Sequence, residues 1–97
     1  MTSVPRFVGE FRLTNHARLR IGQMADAAGL TLAEIHEALT RPEVEFGADR
    51  PDREGQRTRQ AGRIAVVIDP AARVVITVLW RTQRTYVRPE KRRGDRR

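Results

Sequence analysis

The spacing of apolar residues changes near Val44, and this change constrains the fold more than any other feature of the sequence. Before this point apolar residues recur at steps of three and four, which is the period of one helix face. After it, short runs rich in Val and Ile are typical of β-strands. The sequence therefore predicts helices followed by a sheet, which is an α+β arrangement.

The first helix is predicted over residues 14–28. Thr14 or Asn15 would cap its start, and Gly29 would end it in the left-handed conformation. A second helix is predicted to begin after Thr31, which is followed three positions later by a glutamate in a capping box, and a proline stops it at position 42. Because only two residues separate the two helices, we expect a tight helical hairpin.

The clearest strands are predicted over residues 64–68 and 74–80, joined by a turn that contains a proline. If Ile68 lies opposite Val74, alternate side chains of both strands share a face. The face packed on the helices would then carry Ile64, Val66, Ile68, Val74, Ile76, Val78 and Trp80. The opposite face would carry Arg63, Ala65, Val67, Val75, Thr77, Leu79 and Arg81.

Weaker patterns complete the predicted domain. Residues 44–46 predict a short strand, the polar and arginine-rich residues 49–62 a loop or an exposed hairpin, and residues 83–88 a further strand. We therefore predict one α+β domain over residues 1–89, with two N-terminal helices packed on a three- to four-stranded antiparallel sheet. Residues 90–97 contain no apolar side chain, and a basic disordered tail is predicted there.

Positive charge is concentrated at the C-terminal end of the sequence. The chain has 97 residues, with 19 Lys or Arg, 12 Asp or Glu and a net charge of +7. Residues 73–97 contain nine basic and two acidic residues, so this segment alone carries a net charge of +7. All the basic residues except Lys91 are arginine, the side chain suited to bidentate phosphate contacts and to stacking on bases. The charge indicates an acidic partner, with nucleic acid as the first expectation.

Several classes of protein are excluded or disfavoured by composition. The chain has no cysteine, which excludes disulfides, thiolate zinc sites and cysteine nucleophiles. It has no glycine-rich phosphate loop and no cluster with the spacing of metal ligands, so we expect neither a metal nor a cofactor. No stretch approaches the roughly 20 apolar residues of a membrane helix, so a cytoplasmic protein without a membrane partner is expected.

Three segments occur in an order that resembles a known family. Residues 14–20 read Thr-Asn-His-Ala-Arg-Leu-Arg, residues 29–42 carry the second helix and its exit, and residues 75–80 read Val-Ile-Thr-Val-Leu-Trp. The chain is similar over residues 13–80 to small prokaryotic and phage domains that begin with a Thr-x-His-Ala-x-x-Arg-like segment and end in a Val-Ile-Thr-Val-aromatic strand. It departs from that pattern in the arginine-rich residues 49–62 and in placing its aromatic one residue later.

These domains are grouped by fold with the barnase, colicin and RelE-like ribonuclease toxins. The resemblance implies a metal-independent ribonuclease of toxin type, or an RNA binder derived from one, with RNA and an antitoxin as partners. Two alternatives stay open: a noncatalytic nucleic-acid-binding module, and a small phage-type protein that inhibits a host protein. The sequence does not determine the oligomeric state.

Cleavage of RNA without a metal needs a base for the 2′-hydroxyl, an acid for the leaving oxygen and cations for the phosphate. His16 has a side chain with an ordinary pKa of about 6.5, which suits either proton-transfer role. Arg20 lies four positions later, hence on the same flank of the first helix. The predicted catalytic residues are His16, Arg20, Thr77, Arg81 and Tyr86, where the two arginines hold phosphate and Thr77 and Tyr86 position the substrate.

Further residues are predicted to bind nucleic acid without taking part in catalysis. The ring of Tyr86, between Arg84 and Arg88, would stack on a base while the arginines bind phosphate. The predicted binding residues are Arg63, Arg84, Arg88, Lys91, Arg92 and Arg93. Several of the predicted catalytic and binding residues also have a purely structural interpretation. His16 would cap or pack a helix start, Thr77 would be a strand former, and the basic tail would increase solubility.

Overall fold

A computed structural model describes residues 4–47 and 55–81 of the chain. These residues form two helices and six strands. In chain order the elements are β1 (Phe7–Val8), β2 (Phe11–Leu13), α1 (Asn15–Ala28), α2 (Leu32–Thr40), β3 (Val44–Gly47), β4 (Arg57–Ala61), β5 (Ile64–Asp69) and β6 (Val74–Trp80). The predicted strand at residues 83–88 and the predicted tail at residues 90–97 lie outside the described residues.

Both helices begin and end at the residues that the capping signals predict. The Thr14 hydroxyl accepts a hydrogen bond from the Ala17 amide at 3.0 Å, and Gly29 has φ of 69° at the C-terminal end of α1. In α2 the Thr31 hydroxyl accepts from the Glu34 amide, and the Glu34 carboxylate accepts from the Thr31 amide at 3.0 Å. These bonds satisfy backbone donors that the first turn of a helix leaves without partners.

The six strands form one mixed sheet in the order β1-β2-β6-β5-β4-β3, in which β2 and β6 are parallel and every other pair is antiparallel. The α+β class is confirmed, but the predicted purely antiparallel sheet of three or four strands is wrong. A short β1–β2 hairpin precedes the helices, and β4 forms within the polar region, paired with β3 and β5. The helices therefore follow two strands rather than opening the domain.

The predicted register between β5 and β6 is also corrected. Val66 lies opposite Val78, but Ile68 lies opposite Val75 rather than Val74, because the pairing shifts between Val67 and Ile68. This shift leaves an additional residue, Ile76, on β6, which is the signature of a β-bulge. As a result Val75 is fully buried in the core, whereas the side chain of Ile76 is only half-buried.

The helices cover one face of the sheet. Helix α1 packs on β6 and β2, whereas α2 packs on β4, β5 and β1. The two helices do not pack against each other, since no Cα atom of α1 lies within 8 Å of one in α2. The predicted tight helical hairpin is therefore wrong. The core between helices and sheet contains Val8, Leu13, Ala17, Ile21, Met24, Leu30, Ile35, Ala38, Leu39, Ala61, Ile64, Val66, Ile68, Val75 and Val78.

The opposite face of the sheet, here called the open face, has no helix from residues 4–47 or 55–81 packed on it. The strand pairings align its side chains in two rows: Thr77, Val67, Thr58 and Phe46 in one, and Leu79, Ala65, Gln60 and Val44 in the other. Sequence alternation correctly placed Ala65, Val67, Thr77 and Leu79 on this face. It gave no sign that Gln60, in the polar region, is completely buried.

Candidate nucleic-acid interface

Helix α1 is attached to an edge of β6 through two of its side chains. Strand β2 pairs with β6 only at Val74 and Val75, and α1 begins directly after β2. Beyond this pairing, the Thr14 hydroxyl donates to the carbonyl oxygen of Ile76 at 2.9 Å, and Arg20 Nε donates to that of Val78 at 3.2 Å. The helix thus supplies donors to strand carbonyls that β2 is too short to reach.

His16 lies in the first turn of α1 with its side chain exposed. It forms no hydrogen bond or ion pair with any other part of the chain that the structure describes. Arg20, four positions later, is half-buried, and its Nη1 also donates to Gln23 Oε1 at 3.3 Å. The predicted sharing of one helix flank by His16 and Arg20 is consistent with this geometry, although Arg20 is partly occupied by backbone and side-chain acceptors.

Thr77 is not on the same side of the sheet as α1. It lies opposite Val67 on the open face, whereas α1 packs on the face that contains Val78 and Val66. Its side chain is half-buried. The structure therefore does not bring Thr77 into one cleft with the exposed ring of His16.

Arg63 contacts a carboxylate of α2 and the aromatic ring of Trp80. Its Nε and Nη2 donate to the two carboxylate oxygens of Glu34 at 2.7 and 3.0 Å. Its guanidinium carbon lies 5.3 Å from the centroid of the Trp80 ring, within the range of a cation–π contact. The Arg63 hydrogen bonds lower the pKa of Glu34 to about 2. The predicted placement of Arg63 away from the helices is wrong.

Arg81 is in a similar arrangement just after β6. Its Nη1 donates to the carboxylate of Glu43 and to the carbonyl oxygen of Gly62. The hydrogen bond from Arg81 lowers the pKa of Glu43 below its ordinary value. A phosphate at Arg63 or Arg81 would therefore compete with a carboxylate that is already bound there.

The remaining predicted site residues lie outside the described parts of the chain. They are Tyr86, Arg84, Arg88, Lys91, Arg92 and Arg93. Their predicted roles stay predictions.

The arginines within residues 4–47 and 55–81 divide into two groups. Six form ion pairs with carboxylates: Arg41 with Glu37, Arg57 and Arg59 with Glu45, Arg63 with Glu34, Arg73 with Glu10, and Arg81 with Glu43. Four have no carboxylate partner among the described residues. All four lie between residues 6 and 20, in or next to β1, β2 and α1. This group, here called the N-terminal arginines, comprises Arg6, Arg12, Arg18 and Arg20.

Sequence reasoning missed this division because the ion pairs connect distant positions. Arg63 and Glu34 are 29 positions apart, and Arg81 and Glu43 are 38 apart. No local pattern of charge predicts such pairs. The net charge of residues 73–97 therefore favoured the C-terminal arginines as binding residues, whereas the described arginines without carboxylate partners are near the N-terminus.

No group of three or more His, Cys, Asp or Glu side chains in the described part of the chain is arranged to hold a metal ion. None of its helices has the length and apolar character needed to cross a membrane.

Comparison of the chain with protein-family models, with curated proteins and with solved structures finds no match. The resemblance to the ribonuclease toxin fold group therefore stays a prediction from the sequence.

Proposed function

We propose that this chain binds single-stranded RNA through the N-terminal arginines on the surface of β1, β2 and α1. The observation that supports the proposal is the absence of carboxylate partners for these four side chains, in a fold where the other six described arginines are ion-paired. The net charge of +7 favours a polyanionic partner. The resemblance stated above favours RNA over other polyanions.

Arg6 and Arg12 are the best placed of the four. Both side chains are exposed and form no hydrogen bond with the described residues. Arg18 instead donates to the carbonyl oxygen of Val4 at 2.9 Å, and Arg20 donates to that of Val78. Binding of a phosphate by Arg6 or Arg12 breaks no existing contact, so these two should contribute most to affinity.

The test compares two double variants that remove the same charge. Arg6→Gln/Arg12→Gln removes two cations without carboxylate partners. Arg57→Gln/Arg63→Gln removes two half-exposed cations that are ion-paired. Affinity for a labelled single-stranded RNA is measured by fluorescence anisotropy over a salt series. We expect the first variant to lower affinity about tenfold and to reduce the log–log salt slope by about 1.4, because each neutralised phosphate of a single strand contributes about 0.7. Equal losses in both variants, or no RNA binding by the wild-type chain, would overturn the proposal.

Metal-independent RNA cleavage is the second candidate, and the accessibility of His16 favours it. The imidazole is exposed, has no described partner and lies one helical turn from a guanidinium. Against it, no carboxylate, histidine or tyrosine among the described residues is hydrogen-bonded to His16 as a second proton-transfer group. Incubation of labelled RNA with the protein and a chelator tests this candidate: products that His16→Ala abolishes support it, and equal cleavage by both proteins contradicts the assigned role.

A further inference from the structure

Phe7 is a large apolar side chain that remains 57% exposed on β1. It lies directly opposite Arg12 in the β1–β2 pair, so the two side chains project from the same side of the hairpin with Cβ atoms about 5 Å apart. Arg6 is its neighbour in sequence. An exposed aromatic ring is thus next in sequence to one arginine without a described partner and directly across the strand pair from the other.

Phe7 also lines an open surface depression between the β1–β2 hairpin and α2, here called the Phe7 cavity. Its volume is about 470 Å³. Leu32, which is 41% exposed, contributes a second apolar side chain to it. The other lining residues are Val8, Gly9, Ala33, His36 and Glu37.

His36 lines both this cavity and a second one of about 450 Å³, and Val8 and Gly9 of the hairpin also line both. Gly9 forms the turn of that hairpin with φ of 59° and lies close to the His36 ring, since a Cβ atom there would be 3.4 Å from His36 Cδ2. The imidazole of His36 is exposed and forms no hydrogen bond within residues 4–47 and 55–81. It is therefore positioned beside the cavity with its polar nitrogens free to bind a ligand.

We propose that the Phe7 cavity holds an unpaired nucleobase of bound RNA, an inference that rests on the proposed function. The base stacks on the Phe7 ring beside Leu32, and His36 forms a hydrogen bond with the polar edge of the base. Arg6 and Arg12 bind the phosphates on either side of that nucleotide.

The charges around the cavity are compatible with this occupant. Glu37, on its rim, lies 3.6 Å from Arg41, and Glu10, beside the second cavity, lies 2.9 Å from Arg73. Both carboxylates are thus offset by a cation, whereas Arg6 and Arg12 are not offset. A purely apolar partner, such as a hydrophobic peptide side chain, would use Phe7 and Leu32 but would leave these two arginines without a role.

The experiment separates stacking on the base from attraction to phosphate. Phe7→Ala removes the ring, Phe7→Tyr keeps it, and Leu19→Ala is the matched control because Leu19 is 59% exposed and does not line either cavity. The affinity of each protein is measured for a labelled single-stranded RNA and for inorganic polyphosphate, which has the charges but no bases. We expect Phe7→Ala to bind RNA about tenfold more weakly or worse, with polyphosphate binding unchanged. Phe7→Tyr and Leu19→Ala should bind RNA like the wild type.

A second measurement protects the test against a folding defect. In a titration of the wild-type chain with RNA, the amide of Gly9 and the ring signals of His36 should shift in NMR spectra. Equal RNA affinity of wild type and Phe7→Ala overturns the base site while RNA binding itself stands. Absence of RNA binding by the wild type overturns the proposed function first. Preference for single-stranded DNA of the same sequence would retain the stacking site and contradict its assignment to RNA.

Discussion

Arg20 and Val78 are joined by a hydrogen bond from the guanidinium Nε to the carbonyl oxygen, at 3.2 Å and across 58 positions of sequence. Thr14 makes an equivalent bond to Ile76, two residues earlier on the same strand. These contacts give a structural explanation for two polar residues of the Thr-x-His-Ala-x-x-Arg segment, and Ala17 is fully buried against the sheet. His16 is the member of this segment whose side chain has no such explanation among the described residues.

Removal of the Thr14 hydroxyl should destabilise the fold through two contacts. Thr14→Val keeps the shape of the side chain but removes the cap of α1 and the donor to Ile76. We expect a loss of about 2 kcal/mol in the free energy of unfolding, measured by urea denaturation. Thr14→Ser retains both bonds and should lose less than about 0.5 kcal/mol. No loss in Thr14→Val, or a loss in Thr14→Ser as large as that in Thr14→Val, would contradict a stabilising role specific to the hydroxyl.

The β-bulge in β6 predicts different costs for two adjacent valines. Val75 is fully buried in the core, whereas Val74 is half-buried on the other side of the strand. Val75→Ala should therefore lower the free energy of unfolding by about 2–3 kcal/mol, and Val74→Ala by less than about 1 kcal/mol. Thermal and urea denaturation of both variants measure the difference. The reverse order would restore the register in which Ile68 lies opposite Val74.

The pairing of Glu34 with Arg63 predicts a pH-dependent contribution to stability. The pKa of Glu34 is lowered from 4.5 to about 2 in the folded chain, chiefly by the hydrogen bonds from Arg63. Because the folded state favours the ionised carboxylate, this contribution is complete above about pH 4.5 and disappears as pH falls towards 2. Glu34→Gln keeps a side chain that completes the capping box but removes the charge. We expect it to be less stable than the wild type by up to about 1 kcal/mol at pH 7 and equally stable near pH 2.

Glu37→Gln is the matched control for that experiment. It removes one carboxylate from the same helix, but its ion pair with Arg41 is exposed and longer, at 3.6 Å. Because an exposed ion pair contributes little, the loss of stability of Glu37→Gln at pH 7 should be smaller than that of Glu34→Gln. A constant difference between Glu34→Gln and the wild type from pH 7 to pH 2 would contradict the lowered pKa, which NMR titration of the Glu34 carboxyl group measures directly.

The contact between Arg63 and Trp80 can be followed by fluorescence. Trp80 is the single tryptophan of the chain, so its emission reports only this region. Arg63→Ala removes the guanidinium above the ring, exposes that face to water and should shift the emission maximum to longer wavelength, with a loss of about 0.5–1 kcal/mol in stability. Arg41→Ala removes an exposed arginine elsewhere and should leave the spectrum unchanged. An unchanged spectrum for Arg63→Ala would show that the guanidinium does not shield the ring.

The helices and the most apolar strands could be predicted from the sequence because their signals are local. Thr14, Gly29 and Thr31 determine helix ends through contacts within a few residues, and those ends are confirmed. The register of β6 could not be predicted in the same way. Val74, Val75 and Ile76 are all apolar and β-branched, so alternation does not show which of them faces the core.

Neither strand β4 nor the candidate site could be predicted from the sequence, because both depend on contacts between residues far apart in the chain. The β4 residues, including Arg59, are mostly polar, and they form a strand because β3 and β5 pair with both sides. Spacing could place His16 and Arg20 on one helix flank. It could not show that Arg63 and Arg81 are bound by carboxylates on other elements, nor that Phe7 would remain exposed.

The position of β6 in the sheet has a consequence for synthesis on the ribosome. This strand joins β2 to β5, yet it is the last of the six to be translated. Until Val74–Trp80 emerges, the β1–β2 hairpin has no third strand, and the apolar side of α1 that carries Ala17 and Met24 has no β6 surface to cover it. Until β6 emerges, the β1–β2 hairpin and the strands β3 to β5 are therefore not joined in one sheet, and a product terminated before Val74 should be recognised by chaperones or proteases as incomplete.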